Sequence, residues 1–528
     1  MKLSLESIRE KEAWRGYHLP HFDPAVIAEQ TKQRPQWLHF GPGNIFRIFP
    51  AVLCQRLIEQ GKMDTGILCC ESYDDEVITR CFRPYDNLTI AVTLNADGRL
   101  DKEVVGSMAD SLTMRQDFAQ IAEIFRKPSL QMVSFTITEK GYSLRDAKQE
   151  LLPAVAEDME NGPEGCQSFL AQLTAMCLGR KQACGAPLAL VSMDNCSHNG
   201  ERLRTAVMEI AGAWRDNGTI SAEDYAYLEK DIAFPWSMID KITPRPHPLV
   251  EQQLLEDGLE GIRPFTTAKH TYTAPFVNAE KTQYLVIEDR FPNGRPPLEE
   301  AGVILTTRGT VNKVEKMKVC TCLNPLHTCL AVYGCLLGYT SIAEEMKDPE
   351  MSAFVERMSR REGMPVVVDP GVIDPEKFLD EVLTVRFPNP FLPDTPQRIA
   401  TDTSQKLSIR FGETIREYLA SPKHEVSELK LIPLVLAGWL RYLIGVDDEG
   451  DPMEISPDPL LPTMQEKLNG IVLGEEIDAA QLRPILSDAS LFAVDLCECG
   501  LAETVIGYFR ELMTGPGAVR ATLRKYVR

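Results

Sequence analysis

The pattern of apolar and polar positions divides the chain into two parts. In the first part, short apolar runs of strand-like composition are separated by polar loops and helical patterns, at residues 36–41, 65–72, 88–94, 130–137, 187–193 and 282–289. Strands that alternate with helices indicate a largely parallel sheet. In such a sheet, ligands bind beyond the C-terminal ends of the strands.

The second part is dominated by helical periodicity. The periodic stretches are 306–340, 341–362, 373–386, 397–420, 425–445, 478–486 and 488–513, whereas 446–460 and 464–478 have the composition of acidic surface loops. A loop-like stretch rich in proline and glycine, FPNGRPPLEEAG, precedes this part. We therefore predict a polar N-terminal arm at 1–34, an α/β domain at 35–300 and a mostly α-helical domain at 301–528.

A glycine turn joins the first predicted strand to the helical pattern at 45–61. The turn is Gly41-Pro42-Gly43-Asn44. A strand, a tight glycine turn and a helix are typical of a Rossmann-type dinucleotide site, where backbone N–H groups approach the pyrophosphate. The third glycine position of that fingerprint holds Phe46, and Pro42 lacks one donor. An ordinary turn therefore stays open as an alternative.

The next strand carries acidic residues at its end. Glu71 closes the run TGILCCES, and Asp74 follows shortly after. An acidic residue at this distance from the glycines is placed to bind the ribose hydroxyls of NAD, and no arginine follows at once to hold a 2′-phosphate. We expect NAD, with NADP less favoured. The sequence does not separate Glu71 from Asp74, and both could simply begin a helix.

A third stretch, KVCTCLNPLHTCLAVYGCLLG, carries a lysine, an amide and an imidazole. Asn324 and His327 are three residues apart and share a helix face. The alternative is structural: Asn324 would be the N-cap before Pro325, and His327 would be a core histidine.

Composition narrows the classes of function. The chain has 528 residues, a net charge of −20 and a pI near 5.0, so we expect several domains and no nucleic-acid or membrane partner. The N-terminus has no signal-peptide pattern, and we find no run long enough to span a bilayer. The fourteen cysteines show neither disulfide-framework nor metal-site spacing. We expect a cytoplasmic protein without a metal.

Seven segments in order resemble the long-chain mannitol dehydrogenase family. They are HFGPGNIFR (39–47), TITEKGY (136–142), DNCSHNG (194–200), FPWSMIDKITP (234–244), VIEDRFPNGRPPLEEAGV (286–303), EKMKVCTCLNPLH (315–327) and NPFLPDTPQRIATDTSQKLSIRF (389–411). The family includes mannitol 2-dehydrogenases, fructuronate (mannonate) reductases and tagaturonate (altronate) reductases. The resemblance implies a Rossmann-type domain, a helical domain, a cleft between them and metal-free hydride transfer between NAD(P) and a secondary alcohol.

The resemblance also implies catalytic roles. Lys318 matches the family's catalytic lysine, and Asn324 and His327 match its active-site amide and imidazole. Asn195 matches a second amide near the reacting oxygen, and Glu315 matches an acid on a proton route. A lysine acts as a base only after it has lost its proton, which burial or a nearby cation promotes.

Three further positions match substrate-facing residues of the family. Asp240 falls at a position that faces substrate and cofactor, and Arg398 and Lys406 match the basic pair at the far end of the substrate. These cations suit hydroxyls or a carboxylate. We expect D-mannonate and D-fructuronate as substrate and product, with mannitol/fructose or tagaturonate as alternatives. A NAD-binding sensor or scaffold is the non-enzymatic alternative, and we expect a monomer or small homo-oligomer.

The spacing departs from the family at one point. Five residues separate Lys318 from Asn324, where the family usually has four. On an unbroken helix the extra residue would rotate Lys318 by about 100° relative to His327. A helix that begins anew at Asn324, or a π turn, would absorb it. Lys316 is the alternative base.

Overall fold

The computed structural model describes residues 1–527. Internal contacts divide the chain into two compact units, Met1–Asn312 and Lys313–Arg528. This division falls later than the predicted boundary at 300/301, because a short strand at Ile304–Thr306 pairs with Tyr284–Glu288 and so extends the first unit.

The first unit contains all the strands of the described chain. They are β1 Tyr17–His18, β2 Trp37–Phe40, β3 Ile67–Glu71, β4 Thr89–Leu94, β5 Leu100–Val105, β6 Met108–Thr113, β7 Met132–Phe135, β8 Leu188–Ser192, β9 Ile232–Ala233, β10 Ser237–Asp240, β11 Phe265–Thr266, β12 Tyr272–Thr273, β13 Phe276–Glu280, β14 Tyr284–Glu288 and β15 Ile304–Thr306. Its helices are α1 Pro24–Gln33, α2 Asn44–Ile48, α3 Pro50–Glu59, α4 Asp75–Cys81, α5 Phe118–Arg126, α6 Pro153–Asn161, α7 Phe169–Ala183, α8 Asn199–Asp216, α9 Ala222–Lys230 and α10 Pro248–Glu256.

A six-stranded sheet of order β6-β3-β2-β7-β8-β9 forms the centre of this unit, and its neighbouring strands are all parallel. Successive side chains of β2 point to opposite faces: Trp37 belongs to one hydrophobic cluster, and Leu38 and Phe40 belong to another. Both faces are therefore covered, which explains why the strands are continuous apolar runs. The predicted α/β fold with a parallel sheet is confirmed.

Two of the predicted strands do not join this sheet. The run at 88–94 becomes β4, which lies in a mixed sheet of order β1-β5-β4-β13, and the run at 282–289 becomes β14 in a sheet of order β10-β14-β15. The reason for β4 is local. A tight turn, in which Asn95 N–H donates to the Arg99 carbonyl at 3.1 Å, folds β5 back antiparallel, without a crossover helix.

The N-terminal arm packs within the first unit. The helix α1 lies against β6, and β1 pairs with β5. The amino group of Met1 donates to the Gly258 carbonyl at 2.5 Å and contacts Glu260 at 2.9 Å.

All the regular elements of the second unit are helices in its described residues, as predicted. After α11 Arg308–Lys316, which spans the division, the helices are α12 Asn324–Leu336, α13 Ile342–Glu345, α14 Pro349–Met358, α15 Pro375–Glu381, α16 Pro396–Ala400, α17 Glu413–Ala420, α18 Leu431–Tyr442, α19 Leu461–Lys467, α20 Ala479–Leu486, α21 Ala489–Phe492, α22 Ala502–Leu512 and α23 Ala518–Val527. The apolar helix α12 packs on α16 and α18. The loop predicted at 464–478 is wrong at its start, because α19 covers 464–467.

Wide helical turns of the π type interrupt the helices of the second unit. They lie at Met317–Cys322, Ser359–Gly363, Val382–Arg386 and Ser408–Gly412. Such turns hold one extra residue within a helix and occur often at functional sites.

The run Arg308–Leu336 is long and apolar enough to cross a bilayer by length and composition, contrary to the expectation that no run reaches that length. Its most apolar window is 78% buried inside the protein, as in the core helix of a folded domain.

Candidate active site

The glycine turn after β2 has two unlike glycines. Gly41 has φ +81°, and a Cβ there would lie 2.3 Å from the Thr136 carbonyl oxygen, so no other residue fits. A Cβ on Gly43 would meet only the Gly41 carbonyl oxygen, at 3.9 Å. Gly43 therefore leaves open space at the start of α2, where Asn44 is the first helical residue.

Phe46, in the third glycine position, has a structural role. Its ring stacks on the buried imidazole of His39, with centroids 3.9 Å apart. His39 contacts the hydroxyls of Ser134 at 2.7 Å and Thr136 at 2.9 Å. Burial lowers the pKa of His39 to about 3, against an opposing backbone hydrogen bond at Gly41, so the ring is neutral. An aromatic pair thus replaces the close backbone packing that a glycine gives.

The two acidic candidates after β3 have different surroundings. Both oxygens of Asp74 are engaged: Oδ1 accepts from Glu76 N–H at 3.3 Å, and Oδ2 accepts from the hydroxyls of Thr267 and Thr271, each at 2.6 Å. Glu71 uses Oε1 to accept from the N–H groups of Tyr73 at 2.7 Å and Asp74 at 3.2 Å. Asp74 is thus the N-cap of α4 and an anchor for a neighbouring hairpin.

Burial raises the pKa of Glu71, and the nearby charge of Asp74 adds to the rise, while backbone N–H groups from the following loop oppose it. The carboxylate of Glu71 is 8% exposed and has Oε2 outside those backbone bonds. Of the two acids, Glu71 is better placed to accept from a ligand.

Polar residues lie at the C-terminal ends of β7 and β8. Asp194 accepts from the N–H groups of Ile137 at 2.9 Å and Thr138 at 2.8 Å, and from the Tyr142 hydroxyl at 2.5 Å. These bonds fix the loop that contains Asn195, and Asn195 is exposed to solvent.

Asp240 is the last residue of β10, and it is 4% exposed.

In the second unit, the wide turn Met317–Cys322 resolves the unusual spacing. It closes with Leu323 N–H donating to the Lys318 carbonyl at 3.1 Å, a five-residue step. The backbone then breaks at Leu323 (φ −132°), and α12 begins at Asn324. Both devices that could absorb the extra residue are present. The N-cap role predicted for Asn324 is wrong, because Leu323 occupies that position.

Burial separates the two candidate bases. Lys318 is 3% exposed, whereas Lys316 is exposed to solvent. Glu315, one turn before, is half-buried.

His327 lies beside a carboxylate that the sequence analysis did not identify. Its Nε2 is 3.4 Å from Oδ2 of Asp394, and Oδ1 of Asp394 accepts from Arg398. Burial lowers the pKa of His327 and outweighs the opposing effect of Asp394. Burial alone would raise the pKa of Asp394, but the contacts with His327 and Arg398 hold it below its ordinary value. The structure thus brings together His327 and Arg398, through Asp394.

Two more cations lie on the neighbouring segment. The Lys406 ammonium donates to the backbone carbonyls of Ile399, at 3.3 Å, and Thr401. Arg410, which the sequence analysis missed, donates to the Thr328 hydroxyl at 2.5 Å and contacts the Asn324 carbonyl at 3.5 Å. It lies four residues after Lys406, and its N–H donates to the Lys406 carbonyl at 2.9 Å, so the spacing from Lys406 could have indicated it.

Burial and the repulsion between these groups act on their protonation. Burial, and then the charge of Arg410, lower the pKa of Lys406 to about 8, and burial lowers the pKa of Arg410 to about 10. Their hydrogen-bond contacts are carbonyl and hydroxyl oxygens, and neither cation forms an ion pair with a described carboxylate. The charges of Asp402 and Asp458 oppose part of the fall in the pKa of Lys406. Arg410 places a positive charge close to the Asn324 carbonyl.

Comparison with known proteins agrees with these features. Residues 35–300 match the profile of the mannitol dehydrogenase Rossmann domain, and residues 310–509 match that of the mannitol dehydrogenase C-terminal domain. The D-mannonate oxidoreductase of Thermotoga maritima is 51% identical over an alignment 535 positions long, which covers 100% of this chain and 99% of that protein.

Two solved structures have the same fold. The mannitol 2-dehydrogenase of Pseudomonas fluorescens, in a ternary complex with NAD and D-mannitol, gives a TM-score of 0.72 at 25% identity and covers 99% of both chains. A D-sorbitol dehydrogenase in substrate-free form gives a TM-score of 0.77 at 26% identity, covering 96% of this chain and 97% of that one. The chain therefore belongs to the mannitol dehydrogenase family, as its motifs predicted.

Proposed function

We propose that the protein is a NAD-dependent oxidoreductase that interconverts D-mannonate and D-fructuronate. The full-length similarity to a D-mannonate oxidoreductase supports this choice within the family. The feature of the chain that supports it is the pair Lys406 and Arg410, neither of which forms an ion pair with a carboxylate in the described residues. A sugar acid supplies that carboxylate, and a neutral polyol does not.

The cofactor is NAD, held by the first unit. Gly41, Gly43 and Asn44 form the turn that approaches the pyrophosphate, and Glu71 accepts from the ribose hydroxyls. A Cβ on Gly43 would meet only the Gly41 carbonyl oxygen, at 3.9 Å, so the backbone of the turn is open on that side. The carboxylate of Glu71 would repel a 2′-phosphate, so NADP is disfavoured. We assign the ribose role to Glu71 over Asp74, because the threonine hydroxyls and the helix N-terminus already occupy both oxygens of Asp74.

Lys318 is the general base in our proposal. It takes the hydroxyl proton while NAD accepts the hydride, and Glu315 passes that proton toward solvent. Burial of Lys318 supports this role, since water competes less for its amine. No metal is needed for these steps.

The amides stabilise the charge on the reacting oxygen. Asn324 and Asn195 donate to it, and each is worth roughly 3 kcal/mol in the transition state if well aligned. His327, kept neutral by burial, hydrogen-bonds the substrate. Arg398 and Lys406 bind its far end, and Asp240 faces substrate and cofactor.

We further propose a cytoplasmic location. All fourteen cysteines lie in the described part of the chain as free thiols, which suits a reducing compartment. A monomer or small homo-oligomer without nucleic-acid or membrane partners remains our expectation from the acidic composition.

The experiment is NADH consumption with D-fructuronate, D-tagaturonate and D-fructose side by side, repeated with NADPH. We expect the highest kcat/KM with D-fructuronate and NADH. A preference for fructose would favour a mannitol 2-dehydrogenase, and a preference for tagaturonate would favour the altronate enzyme. No turnover with any of them, despite NADH binding, would favour a sensor or scaffold.

A further inference from the structure

A short hairpin of the first unit contacts both parts of the cofactor site. It consists of β11, β12 and the turn between them, and we call residues 265–274 the clamp hairpin. Its strands pair Phe265 with Thr273 and Thr266 with Tyr272. Neither the glycine turn nor Glu71 belongs to it.

One end of the clamp hairpin holds the loop after β3. The Thr267 and Thr271 hydroxyls donate to the same oxygen of Asp74, each at 2.6 Å. The contact from Thr267 is buried, and the contact from Thr271 is partly buried. The Lys269 ammonium donates to the Tyr73 carbonyl and lies 4.3 Å from the centre of the Tyr73 ring. The loop is thus fixed from one side.

That loop in turn holds Glu71. The N–H groups of Tyr73 and Asp74 both donate to Oε1 of Glu71, at 2.7 and 3.2 Å. Tyr73 and Asp74 also carry the contacts to the clamp hairpin. The direction of the Glu71 carboxylate therefore depends on a hairpin that is distant in sequence, since Asp74 and Thr267 are 193 positions apart.

The other end of the clamp hairpin holds the first turn of α2. Arg47 is fully buried and donates to the Ala274 carbonyl at 2.7 Å and the Thr273 hydroxyl at 3.2 Å. It also donates to the Asn44 side-chain oxygen at 2.9 Å. The residue at the start of α2 is therefore tied to the hairpin through a rigid, planar guanidinium.

We propose that the clamp hairpin is a positioning element for the dinucleotide, which couples the ribose-binding carboxylate of Glu71 to the pyrophosphate-binding turn at Asn44. This inference rests on the proposed role of Glu71 and the glycine turn in NAD binding. Thr267 and Thr271 touch no cofactor in this scheme, and they act through Asp74.

The test measures NADH affinity by direct fluorescence titration in the full-length protein. The double variant Thr267→Val/Thr271→Val removes both hydroxyls from Asp74, and we expect NADH to bind about tenfold more weakly. The conservative pair Thr267→Ser/Thr271→Ser keeps the hydroxyls and should restore affinity. Thr266→Val is the matched control, since Thr266 is an exposed residue of the same hairpin.

A double-mutant cycle with Glu71→Gln shows whether the threonines act through Glu71. We expect Glu71→Gln to weaken binding and the two valines to add little further in that background. Full additivity, or a double valine variant that binds NADH like Thr266→Val, overturns the clamp proposal. If Glu71→Gln itself leaves the affinity unchanged, the ribose assignment fails instead. Should the double variant not fold, Thr271→Val alone decides, because Thr271 is only half-buried.

Discussion

Lys316 and Lys318 are two residues apart, and their surroundings differ. Lys318 is 3% exposed, while Lys316 faces solvent. Both lysines are candidates from the sequence, and the difference in burial is the reason for which we propose Lys318 as the base.

Lys318→Ala should lower kcat by about 10²- to 10⁴-fold, because the variant loses its general base. NADH affinity should stay close to that of the unchanged protein, since the nucleotide is held by the first unit in our proposal. Steady-state kinetics and a fluorescence titration measure the two effects. Lys316→Ala is the control and should remain active; near-normal turnover by Lys318→Ala would remove this lysine from the mechanism.

Glu345 presents a separate case of burial, at the end of α13. Its side chain is fully buried, neither carboxyl oxygen has a hydrogen-bond partner among residues 1–527, and a Cβ on Gly334 would lie 2.2 Å from Oε1. Burial, with a smaller effect from Asp348, raises the pKa of Glu345 from 4.5 to about 9. The residue is therefore protonated in the folded protein at neutral pH.

The free energy of unfolding should depend on pH because of the Glu345 carboxyl. The folded pKa is higher than the unfolded one, so its contribution is complete below about pH 4.5 and is lost as the pH rises toward 9. Glu345→Gln removes the titration, and its stability relative to the unchanged protein should increase across that window. Urea unfolding at several pH values measures this, with Glu344→Gln, at an exposed neighbour, as the control. A stability difference that is independent of pH would contradict the assignment.

Residue-level prediction from the sequence worked for the local backbone, and it failed where side chains meet through folding. The turn around Gly41 follows from the order of residues alone, whereas the order of residues offered both Glu71 and Asp74, and their roles stay predictions. Asp394 and Arg410 were not predicted, because their contacts with His327 and Thr328 join segments far apart in sequence. Phe46 looked like a defect in the fingerprint until its stacking on His39 was visible.

At the scale of elements, the wide turn at Met317–Cys322 is the feature on which the catalytic stretch depends. A π turn accommodates one added residue while the helices on both sides keep their directions. From the sequence alone, this turn was one of two ways to absorb the extra residue, the other being a helix that begins anew at Asn324. Sequence spacing does not decide between them, because the break at Leu323 directly follows the turn.

Deletion and insertion at this turn should have unequal effects. Deleting Val319 removes the extra residue and lets an ordinary α-helical turn form, so Lys318 should keep its direction and most of the activity should remain. Inserting an alanine between Val319 and Cys320 rotates Lys318 by about 100° relative to α12 and should cost about 10²-fold or more in kcat. Equal losses in both variants, measured on folded protein, would show that the turn does not compensate for the longer spacing.

At the scale of the whole molecule, the acidic chain contrasts with its local cationic cluster. A net charge of −20 repels anions at long range, yet Lys406 and Arg410 hold two positive charges on one segment. At about 0.1 M salt, repulsion between exposed charges is largely screened beyond about 10 Å. A charge-assisted contact in a partly buried site is screened less. Recognition of an acid must therefore come from the cluster itself.

Arg410→Gln should discriminate between charged and neutral substrates. The loss of one charge-assisted contact is expected to raise KM for D-fructuronate roughly 10- to 100-fold. Any slow turnover of D-fructose should change little, because fructose has no carboxylate. Arg416→Gln is the control, since Arg416 is an exposed arginine of the same unit that pairs with Glu413. A parallel loss with both sugars would assign Arg410 to the framework of the site.

Because Gly41 and Gly43 have different surroundings, loss of activity after substitution of each glycine has a different cause. Codon randomisation at 41 followed by selection for growth on the sugar acid should return glycine alone, since the Thr136 carbonyl leaves no volume for a methyl group. Under the same selection position 43 should also return glycine, but unselected clones with small side chains there should fold and lack activity, because the side chain would compete with a bound nucleotide. Loss of function in a variant of Gly41 would then indicate misfolding. Loss of function in a variant of Gly43 would indicate a folded protein that does not bind the nucleotide.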